Sequence, residues 1–381
     1  MSLLFKILTL ILTILQLFRG QLGIDSGSHA TDLNSPTIKA YSKGQWKARS
    51  VWDMVLDNGV LYVGSGDYGT NAGPVDIWAY DLGTEEWSSA QTVNGEAISR
   101  FVSLEDKIVA PGIDPRSSWE YGDYYILSQG QWRAFDRLPL AVHNFDIASF
   151  AGKMFFGLGT EDDLASPVLV SENGTSDFTQ VPFYKNDAPV LGNGDYSFTR
   201  VYDFFVLEDS LYCLFAPCRE DTGYSYEIYR FTGERFEFVS NLKDAQLHLT
   251  AIKQVPIAGK VCVGKTCYIA CGNLYKTSDF VNFTQVQLPG GGYVTDLLTE
   301  TVGATGVEMV YVLSSAATDD GNYCSTIYAL APDGTAIPVV EYTASCLALS
   351  FVKAGNGFYV GFGFGNEKTR DVGKVIYITI G

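Results

Sequence analysis

An all-β fold is predicted by three features of the sequence: its composition, a short recurring phrase, and the strand-like segments around each copy of that phrase. The 381 residues include 39 Gly, 23 Tyr and 23 Phe. Aromatic side chains fit the pleated surface of a sheet, and glycine supplies the positive φ angles of tight turns. Long stretches of Ala, Glu, Lys and Leu are missing, so few helices are expected.

The recurring phrase is a turn followed by a strand that carries an aromatic residue near its centre in six of seven copies and often ends in glycine. Its seven copies read DNGVLYVGSG, EDKIVAPG, AGKMFFGLG, EDSLYCLF, GKTCYIACG, GVEMVYVLS and GNGFYVGFG. Aligned on the central position, they fall at residues 62, 110, 155, 212, 268, 311 and 359. A spacing of this size indicates a repeat architecture.

Most copies lie within a set of four strand-like segments. An apolar segment such as VWDMVL or VYDFFVL precedes the phrase, and a third segment such as VDIWAYD follows after a polar loop. A fourth segment usually contains Trp or Phe, as in GQWRAF. Four short strands repeated every ~40–50 residues are typical of β-propeller blades. The sequence therefore predicts a seven-bladed β-propeller.

The last repeat ends on its third strand, so a missing fourth strand must come from elsewhere. The segment SKGQWKARS near the N-terminus resembles LSQGQWRA, the fourth strand of another repeat. An N-terminal strand at about residues 37–50 is expected to join the last blade and close the ring, with Trp46 equivalent to Trp132, because closure removes exposed sheet edges. The predicted organisation is a signal peptide at 1–20, a flexible segment at 21–36 and one propeller domain at 37–381.

Two families of propeller repeat share parts of this pattern. The first repeat, LYVGSG followed by VDIWAYDLGTEEW, resembles the Kelch repeat through its strand-ending glycines, Tyr80-Asp81 and Trp87. It departs from that pattern because Gly64-Ser65-Gly66 replaces two adjacent glycines. LYKTSDFVNFTQV and VLVSENGTSDFTQV resemble degenerate Asp-box turns of sialidase-like propellers, without the full S-x-D-x-G-x-x-W motif. Both resemblances imply a propeller, and neither implies a particular activity.

The N-terminus and several other features favour secretion. Residues 1–20, MSLLFKILTLILTILQLFRG, read as a secretory signal peptide, with an uncleaved signal anchor as the alternative. The C-terminus lacks the features of a lipid-anchor signal, so no stable membrane anchor is expected. Two glycosylation sequons begin at Asn173 and Asn282. Seven Cys suit an oxidising compartment, and the plausible disulfide pairs are Cys213 with Cys218, Cys262 with Cys267, and Cys324 with Cys346.

The charge of the chain limits its partners. The formal net charge is −17, which repels nucleic acid and anionic lipid and attracts cations or basic partners. Nucleic-acid binding is therefore not expected.

Four aspartates occupy similar positions in the first strands of four repeats: Asp53, Asp146, Asp203 and Asp296. First strands line the central channel of a propeller, so these side chains are expected near a common axis. They are predicted either to provide channel polarity and hydrogen bonds to neighbouring blades or to hold an axial cation such as Ca²⁺, since carboxylate oxygens suit hard cations.

The longest polar loops join strands two and three and are expected to share one face with the blade-to-blade connections. We call this the long-loop face. Aromatic and acidic side chains on it are candidate ligand contacts, because aromatic faces and carboxylates suit sugar rings or a basic peptide. The candidates are Asp67, Trp119, Tyr121, Asp162, Asp163, Tyr224, Asp319 and Asp320. An ordinary solvated loop face is the alternative.

Catalytic signatures are weak. Only three His are present, and no nucleophile-elbow, zinc-protease or phosphate-loop motif occurs. The sequence favours a secreted, non-enzymatic propeller that binds a glycan or an extracellular protein on the long-loop face. The alternative is a secreted hydrolase or lyase acting on a saccharide, with the carboxylate pairs Asp162-Asp163 or Asp319-Asp320 as acid and base.

Overall fold

A computed structural model describes residues 29–39, 45–104, 107–116, 121–161, 163–243, 247, 249, 253, 255–302, 306–364 and 369–380. The predicted signal peptide, Trp119 and Asp162 lie outside these residues. The described chain consists of short strands and three 3-10 helices, at Pro36–Ile38, Trp46–Arg49 and Tyr68–Thr70. None of its helices has both the length and the apolar character that a membrane span requires. The all-β prediction is confirmed.

Five four-stranded antiparallel sheets form the larger part of the fold. The last sheet includes the first strand of the chain, β1 (Ala30–Asp32). The first sheet along the chain contains β2 (Asp53–Asp57), β3 (Val60–Gly64), β4 (Val75–Asp81) and β5 (Glu86–Val93). The second sheet contains β6 (Val102–Leu104), β7 (Lys107–Pro111), β8 (Tyr121–Ser128) and β9 (Gln131–Pro139).

A sixth, eleven-stranded sheet follows along the chain. Its first part is a meander of β10 (His143–Phe150), β11 (Lys153–Thr160), β12 (Val168–Ser171) and β13 (Thr179–Gln180), followed by β14 (Phe183–Lys185) and β15 (Ala188–Pro189). Its second part is β16 (Phe198–Leu207), β17 (Ser210–Arg219), β18 (Gly223–Tyr224), β19 (Glu227–Phe231) and β20 (Phe236–Asn241). The two parts join where Gly159 and Thr160 of β11 pair with Arg200 and Thr199 of β16.

The remaining three four-stranded sheets complete the chain. They contain β21 (Gly259–Val263), β22 (Thr266–Cys271), β23 (Asn273–Thr277) and β24 (Thr284–Val286), then β25 (Tyr293–Val302), β26 (Val307–Ala317), β27 (Tyr323–Leu330) and β28 (Ala336–Ala344). The last consists of β29 (Leu347–Ala354), β30 (Gly357–Gly363) and β31 (Val375–Thr379), with β1 as its fourth strand.

The sheets are arranged as a β-propeller around a central cavity of about 760 Å³. Residues from β2, β6, β10, β16, β21, β25 and β29 line this cavity. These are the segments that precede the recurring phrase in the sequence, so the prediction that first strands surround a common axis is confirmed. The tight hairpins after these strands lie on one face, and the loops between strands two and three lie on the opposite, long-loop face.

The glycine that ends several copies of the phrase allows neighbouring sheets to approach. A Cβ atom built on Gly64 would lie 2.6 Å from the carbonyl oxygen of Ile98, in the segment that leads to β6. A Cβ atom on Gly361 would lie 2.3 Å from Cγ1 of Val51. Both distances are shorter than any ordinary contact, so these positions require glycine.

The first and last sheets meet, but the prediction of which segment joins them was wrong. The strand that pairs with β31 is β1, with Thr31 opposite Tyr377, and it lies within the segment 21–36 that was expected to be flexible. The described residues of 37–50 contain 3-10 turns and no strand. Trp46 therefore lies on a half-buried 3-10 helix and is not equivalent to Trp132 of β9. The motif match SKGQWKARS failed because a short Trp-containing phrase does not specify strand geometry.

Apolar packing also joins the two ends of the chain. Leu61 and Val63 of β3, with Val51 just before β2, form one buried cluster with Val352 and Val375 of the last sheet. This packing buries large aliphatic side chains from both sheets, and each such side chain contributes about 1.5–3 kcal/mol when fully buried.

Candidate functional site

Six charged side chains of the cavity wall, with Asp203 directly behind them, form what we call the charged belt: Asp53, Arg100, Asp146, Asp203, Lys253, Lys260 and Asp296. Lys353 also lines the cavity but pairs separately with Glu300. The four aspartates predicted to face a common axis are thus brought together. Six belt residues occupy the third position of a first-strand segment, as in VWD, ISR, NFD, VYD, AGK and VTD. Lys253 comes from the connection that precedes β21.

Ion pairs connect the belt. The Arg100 guanidinium lies 2.8 Å from Asp203 and 3.2 Å from Asp146. Lys260 Nζ lies 3.1 Å from Asp203 and also contacts Asp146. On the other side of the cavity, Lys253 Nζ lies 3.2 Å from Asp296. Three of the four belt carboxylates thus have a cationic partner.

The pKa values of the belt carboxylates reflect burial against these cations. Burial raises the pKa of Asp296 to about 7, and Lys253 opposes that increase. Burial also raises the pKa of Asp53 and of Asp203. Burial acts in the same direction on Asp146, but Lys260 and Arg100 together lower its pKa below the ordinary value. The belt has four carboxylates and three cations, which is consistent with at least one carboxyl group that retains its proton near neutrality.

The predicted alternative of an axial Ca²⁺ is not supported by this arrangement. Asp146, Asp203 and Asp296 contact arginine or lysine side chains, which take the place that a hard cation would occupy. Asp53 accepts hydrogen bonds from the backbone N–H groups of Met54 and Phe101. Within the part of the chain that the structure describes, no group of three or more His, Cys, Asp or Glu side chains is placed to hold a metal ion. The arrangement matches the other prediction, in which the aspartates provide channel polarity and contacts between blades.

Two smaller cavities lie on the long-loop face. The first, of about 290 Å³, is lined by Tyr68, Asp114, His143, Arg200 and other residues. The second, of about 500 Å³, is lined by Tyr224, Tyr226, Leu247, Leu249 and others. They adjoin because the Arg200 guanidinium of the first cavity lies 5.2 Å from the centre of the Tyr224 ring in the second. We call these two cavities together the axial pocket.

Four aromatic rings, those of Tyr68, Phe198, Tyr224 and Tyr226, lie among polar and charged side chains in the walls of the axial pocket. The Tyr224 and Tyr226 rings are stacked at 6.4 Å with an interplanar angle of 27°. The Tyr68 ring lies 5.9 Å from the imidazole of His143, whose Nδ1 is 2.7 Å from Asp114 Oδ1. Burial raises the pKa of Tyr68 to about 12, and Tyr202 adds to this increase. Tyr68 is therefore a neutral hydroxyl near pH 7 and can act as a hydrogen-bond donor.

Of the predicted long-loop residues that the structure describes, only Tyr224 lies in the axial pocket. Asp67 is buried and caps the 3-10 helix at Tyr68–Thr70 by accepting hydrogen bonds from the Gly69 amide and the Thr70 hydroxyl, each at 3.0 Å. Asp163 is also buried and accepts hydrogen bonds from the backbone amides of Gly194 and Asp195. Both carboxylates hold loops in place, and neither lines the axial pocket.

The other described candidates are exposed and separate from the pocket. Tyr121 is 45% exposed at the start of β8. Asp319 and Asp320 lie on an exposed turn, where the Thr318 hydroxyl and Asn322 donate to Asp320 and lower its pKa. The described carboxylates of the predicted acid–base pairs therefore serve in loops and turns. Asn173 and Asn282 are exposed as a glycosylation site requires.

The cysteine pairings differ in their geometry. Cys262 and Cys267 face each other on β21 and β22 with Cα atoms 4.0 Å apart and form a disulfide. Cys213 and Cys218 lie five positions apart on the same strand, β17, so their side chains point to opposite faces and cannot be bridged. Cys324 and Cys346 are free thiols. Two of the three predicted pairs are thus absent from the described structure.

The basic half of the belt and the polar residues of the axial pocket were not predicted from the sequence. A signal for the belt was present, because Arg100 and Lys260 occupy the same strand position as the aspartates in ISRFVSL and AGKVCV. No comparable signal marked Arg200, His143 or Tyr68. These residues come from different repeats and meet only through the closure of the ring.

Comparisons with known proteins support the fold and nothing more specific. No protein-family model matches the chain, and no curated protein matches it. A catalytically inactive virginiamycin B lyase from Staphylococcus aureus with quinupristin is similar in structure at a TM-score of 0.52 and 12% identity, over 93% of this chain and 99% of that one. A chain of a mitotic checkpoint complex is similar at a TM-score of 0.53 and 8% identity, over 94% and 97%. At these identities the likeness establishes a β-propeller fold alone.

Proposed function

We propose that this protein is a secreted, non-enzymatic β-propeller that binds a glycan or an extracellular protein on its long-loop face, at the axial pocket. One observation carries the proposal: two cavities lined by tyrosine rings adjoin at Tyr224 and Arg200, where the loops of several repeats converge. Concave, largely aromatic surfaces with a few convergent polar groups are typical of ligand sites.

The proposed secretion and the proposed binding face are compatible. The turns that carry Asn173 and Asn282 join strands three and four of their sheets, between β12 and β13 and between β23 and β24. Such turns lie on the face of the tight hairpins, so an attached glycan leaves the axial pocket open. Expression in eukaryotic cells should release a chain that lacks its N-terminal segment and shifts in mass on deglycosylation. Retention of the intact chain in membranes argues against secretion.

We further infer that the ring has seven Kelch-like blades. The eleven-stranded sheet contains two antiparallel meanders, β10–β13 and β16 with β17, β19 and β20. Each supplies one inner strand to the central cavity, and the five smaller sheets supply the other five. On this interpretation the pairing of β11 with β16 is a short contact between adjacent blades.

A screen of the purified protein against glycans and secreted proteins tests the binding function. Tyr224→Ala is expected to weaken binding of the ligand found by at least about tenfold, since a stacked aromatic ring contributes a large contact area. Tyr184→Ala is the matched control, because the Tyr184 ring likewise lies against an arginine, Arg235 at 4.5 Å, but outside the pocket. If thermal unfolding shows that both variants are folded and they bind equally well, the axial pocket is excluded as the site.

A saccharide hydrolase or lyase is the second candidate, and one contact favours it. His143 Nδ1 lies 2.7 Å from Asp114 Oδ1 in the first cavity, and a carboxylate-oriented imidazole is a common general acid or base. Product formation from a bound saccharide that is lost in His143→Ala, with binding retained, establishes the enzymatic alternative. Bound saccharide recovered unchanged supports the binding function.

A further inference from the structure

Arg200 occupies an unusual position on the long-loop face. It lies near the start of β16 and lines the first cavity of the axial pocket. The guanidinium carbon is 5.7 Å from the centre of the Phe145 ring, 5.9 Å from that of Tyr202 and 5.2 Å from that of Tyr224. Three aromatic rings therefore lie within cation–π distance of the guanidinium.

The hydrogen bonds of Arg200 do not use the capacity of its guanidinium. Arg200 Nη1 donates to the Tyr202 hydroxyl at 2.8 Å. Among the described residues, no carboxylate forms an ion pair with it. A guanidinium carries five N–H donors in a planar fork, so donors remain for a group that enters the cavity.

Other half-buried or buried cations near the channel and on the same sheet are paired with carboxylates. Arg100 contacts Asp146 and Asp203, and Lys185 contacts Glu227 at 2.9 Å. Arg235, which also lies over a tyrosine ring, contacts Glu237 at 2.7 Å. An arginine that packs against aromatic rings can thus also have a carboxylate partner, so the rings around Arg200 do not explain why it has none among the described residues. In a chain of net charge −17, an unpaired arginine in a cavity marks a position where an anion can be supplied by a ligand.

Resting on the binding function proposed above, we infer that the ligand is an acidic sugar whose carboxylate is bound by Arg200. A planar carboxylate matches the fork of the guanidinium and accepts two parallel hydrogen bonds. The stacked rings of Tyr224 and Tyr226 beside it offer flat apolar faces for the C–H groups of a sugar ring.

Charged neighbours of the first cavity limit how much negative charge the ligand carries. Asp114 lies against His143, and Glu161 lines the same cavity. Among the described residues of the first cavity, a ligand carboxylate meets one unpaired cation, Arg200. Arg219, which lies 3.5 Å from Asp195, and Lys243 line the second cavity. A polyanion meets the acids of the first cavity and the negative surface of the whole protein. The site therefore fits a monocarboxylate sugar, such as a single uronic-acid residue in an otherwise neutral glycan.

Four small probes test this inference by NMR titration: D-glucuronate, its methyl ester, D-glucose and N-acetyl-aspartate. We expect D-glucuronate to bind at least about tenfold more tightly than its methyl ester and D-glucose, because a charge-assisted bidentate contact is lost with the carboxylate. Arg200→Gln should remove the preference for glucuronate, and Arg200→Lys should retain only part of it. Arg235→Gln is the matched control and should leave the preference intact.

The outcomes separate this inference from the proposed function. Equal binding of glucuronate and its methyl ester overturns the carboxylate assignment, while sugar binding at Tyr224 still stands. Binding of N-acetyl-aspartate as tight as that of glucuronate overturns the sugar assignment. No binding of any probe, in a protein that unfolds cooperatively, overturns the inference for uronic acids. If Arg200→Gln fails to fold, the ester comparison on the unmodified protein still decides the question.

Discussion

The carboxylate of Asp53 accepts a hydrogen bond from the backbone N–H of Phe101 at 2.6 Å, and this contact joins the inner strand of one sheet to the chain entering the next. Asp146 accepts in the same way from Phe204, and Asp296 accepts from Phe351. In each case the donor directly follows the equivalent belt position of the neighbouring sheet. The belt carboxylates thus fix the spacing of inner strands, and their principal role is structural.

The first prediction concerns the cation shared by two belt carboxylates. Arg100→Met should lower the free energy of unfolding by about 3–5 kcal/mol, because it leaves Asp146 and Asp203 buried with one partner fewer. Urea denaturation measures this loss. Arg370→Met is the control, since its side chain is 84% exposed in its contact with Asp371 and such surface pairs contribute little. Equal stability of the two variants would show that the belt does not hold the ring.

The second prediction is a stability change with pH. The pKa of Asp296 is raised by burial from 3.8 to about 7, so the folded protein keeps a proton that the unfolded chain releases in this window. The free energy of unfolding should therefore fall as pH rises from about 4 to about 7, by at most ~1.4 kcal/mol per pH unit from this group. Carboxylates with lowered pKa values, such as Asp146 and Asp371, act below this window.

Denaturant midpoints at about pH 5 and about pH 8 measure this effect. Asp296→Asn removes the titrating group, so its midpoint should change less with pH than that of the unmodified protein. An identical pH dependence in both proteins would assign the effect to other groups.

The third prediction concerns the disulfide between Cys262 and Cys267. Peptide mapping of the non-reduced protein should find these two residues linked, and Cys213 and Cys218 unlinked. Because the bridge closes a short loop, its replacement in Cys262→Ser with Cys267→Ser should cost about 2 kcal/mol in the free energy of unfolding. The double variant of the free thiols Cys324 and Cys346 is the control for removing thiols without breaking a bridge. A map that links Cys213 to Cys218 contradicts the register of β17.

Sequence periodicity predicted the propeller and the channel aspartates because both follow from a repeated local pattern. Each first strand is a short apolar segment with a polar third residue, and second strands such as β3 and β30 end in a glycine at which a Cβ atom would clash with the neighbouring chain. These features act within one repeat or between neighbouring repeats. Their physical cause is therefore visible in a single line of sequence.

The axial pocket could not be predicted in the same way. Tyr68, His143, Arg200 and Tyr224 come from three repeats whose loops differ in length and share no motif. Asp67 and Asp163 were predicted as ligand contacts because they are acidic loop residues. Their carboxylates instead accept hydrogen bonds from nearby backbone amides and hold turns in place. Proximity to a loop tip does not distinguish these two roles.

The last prediction concerns the N-terminal segment that completes the last sheet. Thr31 pairs with Tyr377, the Leu33 amide donates to the Val375 carbonyl at 3.0 Å, and Trp87 Nε1 donates to the Leu33 carbonyl at 2.7 Å. The buried Thr37 hydroxyl donates to the carbonyl of Gly373. These contacts tie residues 30–38 to both the last and the first sheet.

A chain that begins at His29 should therefore remain soluble, whereas one that begins at Lys39 should unfold at lower temperature and aggregate. The second chain exposes the edge of β31, whose unpaired backbone groups can pair with another molecule. Thermal unfolding and light scattering of the two proteins measure the difference, and both retain Trp46. If instead the segment around Trp46 closes the ring, the two chains should behave alike and only removal of residues 39–50 should cause aggregation.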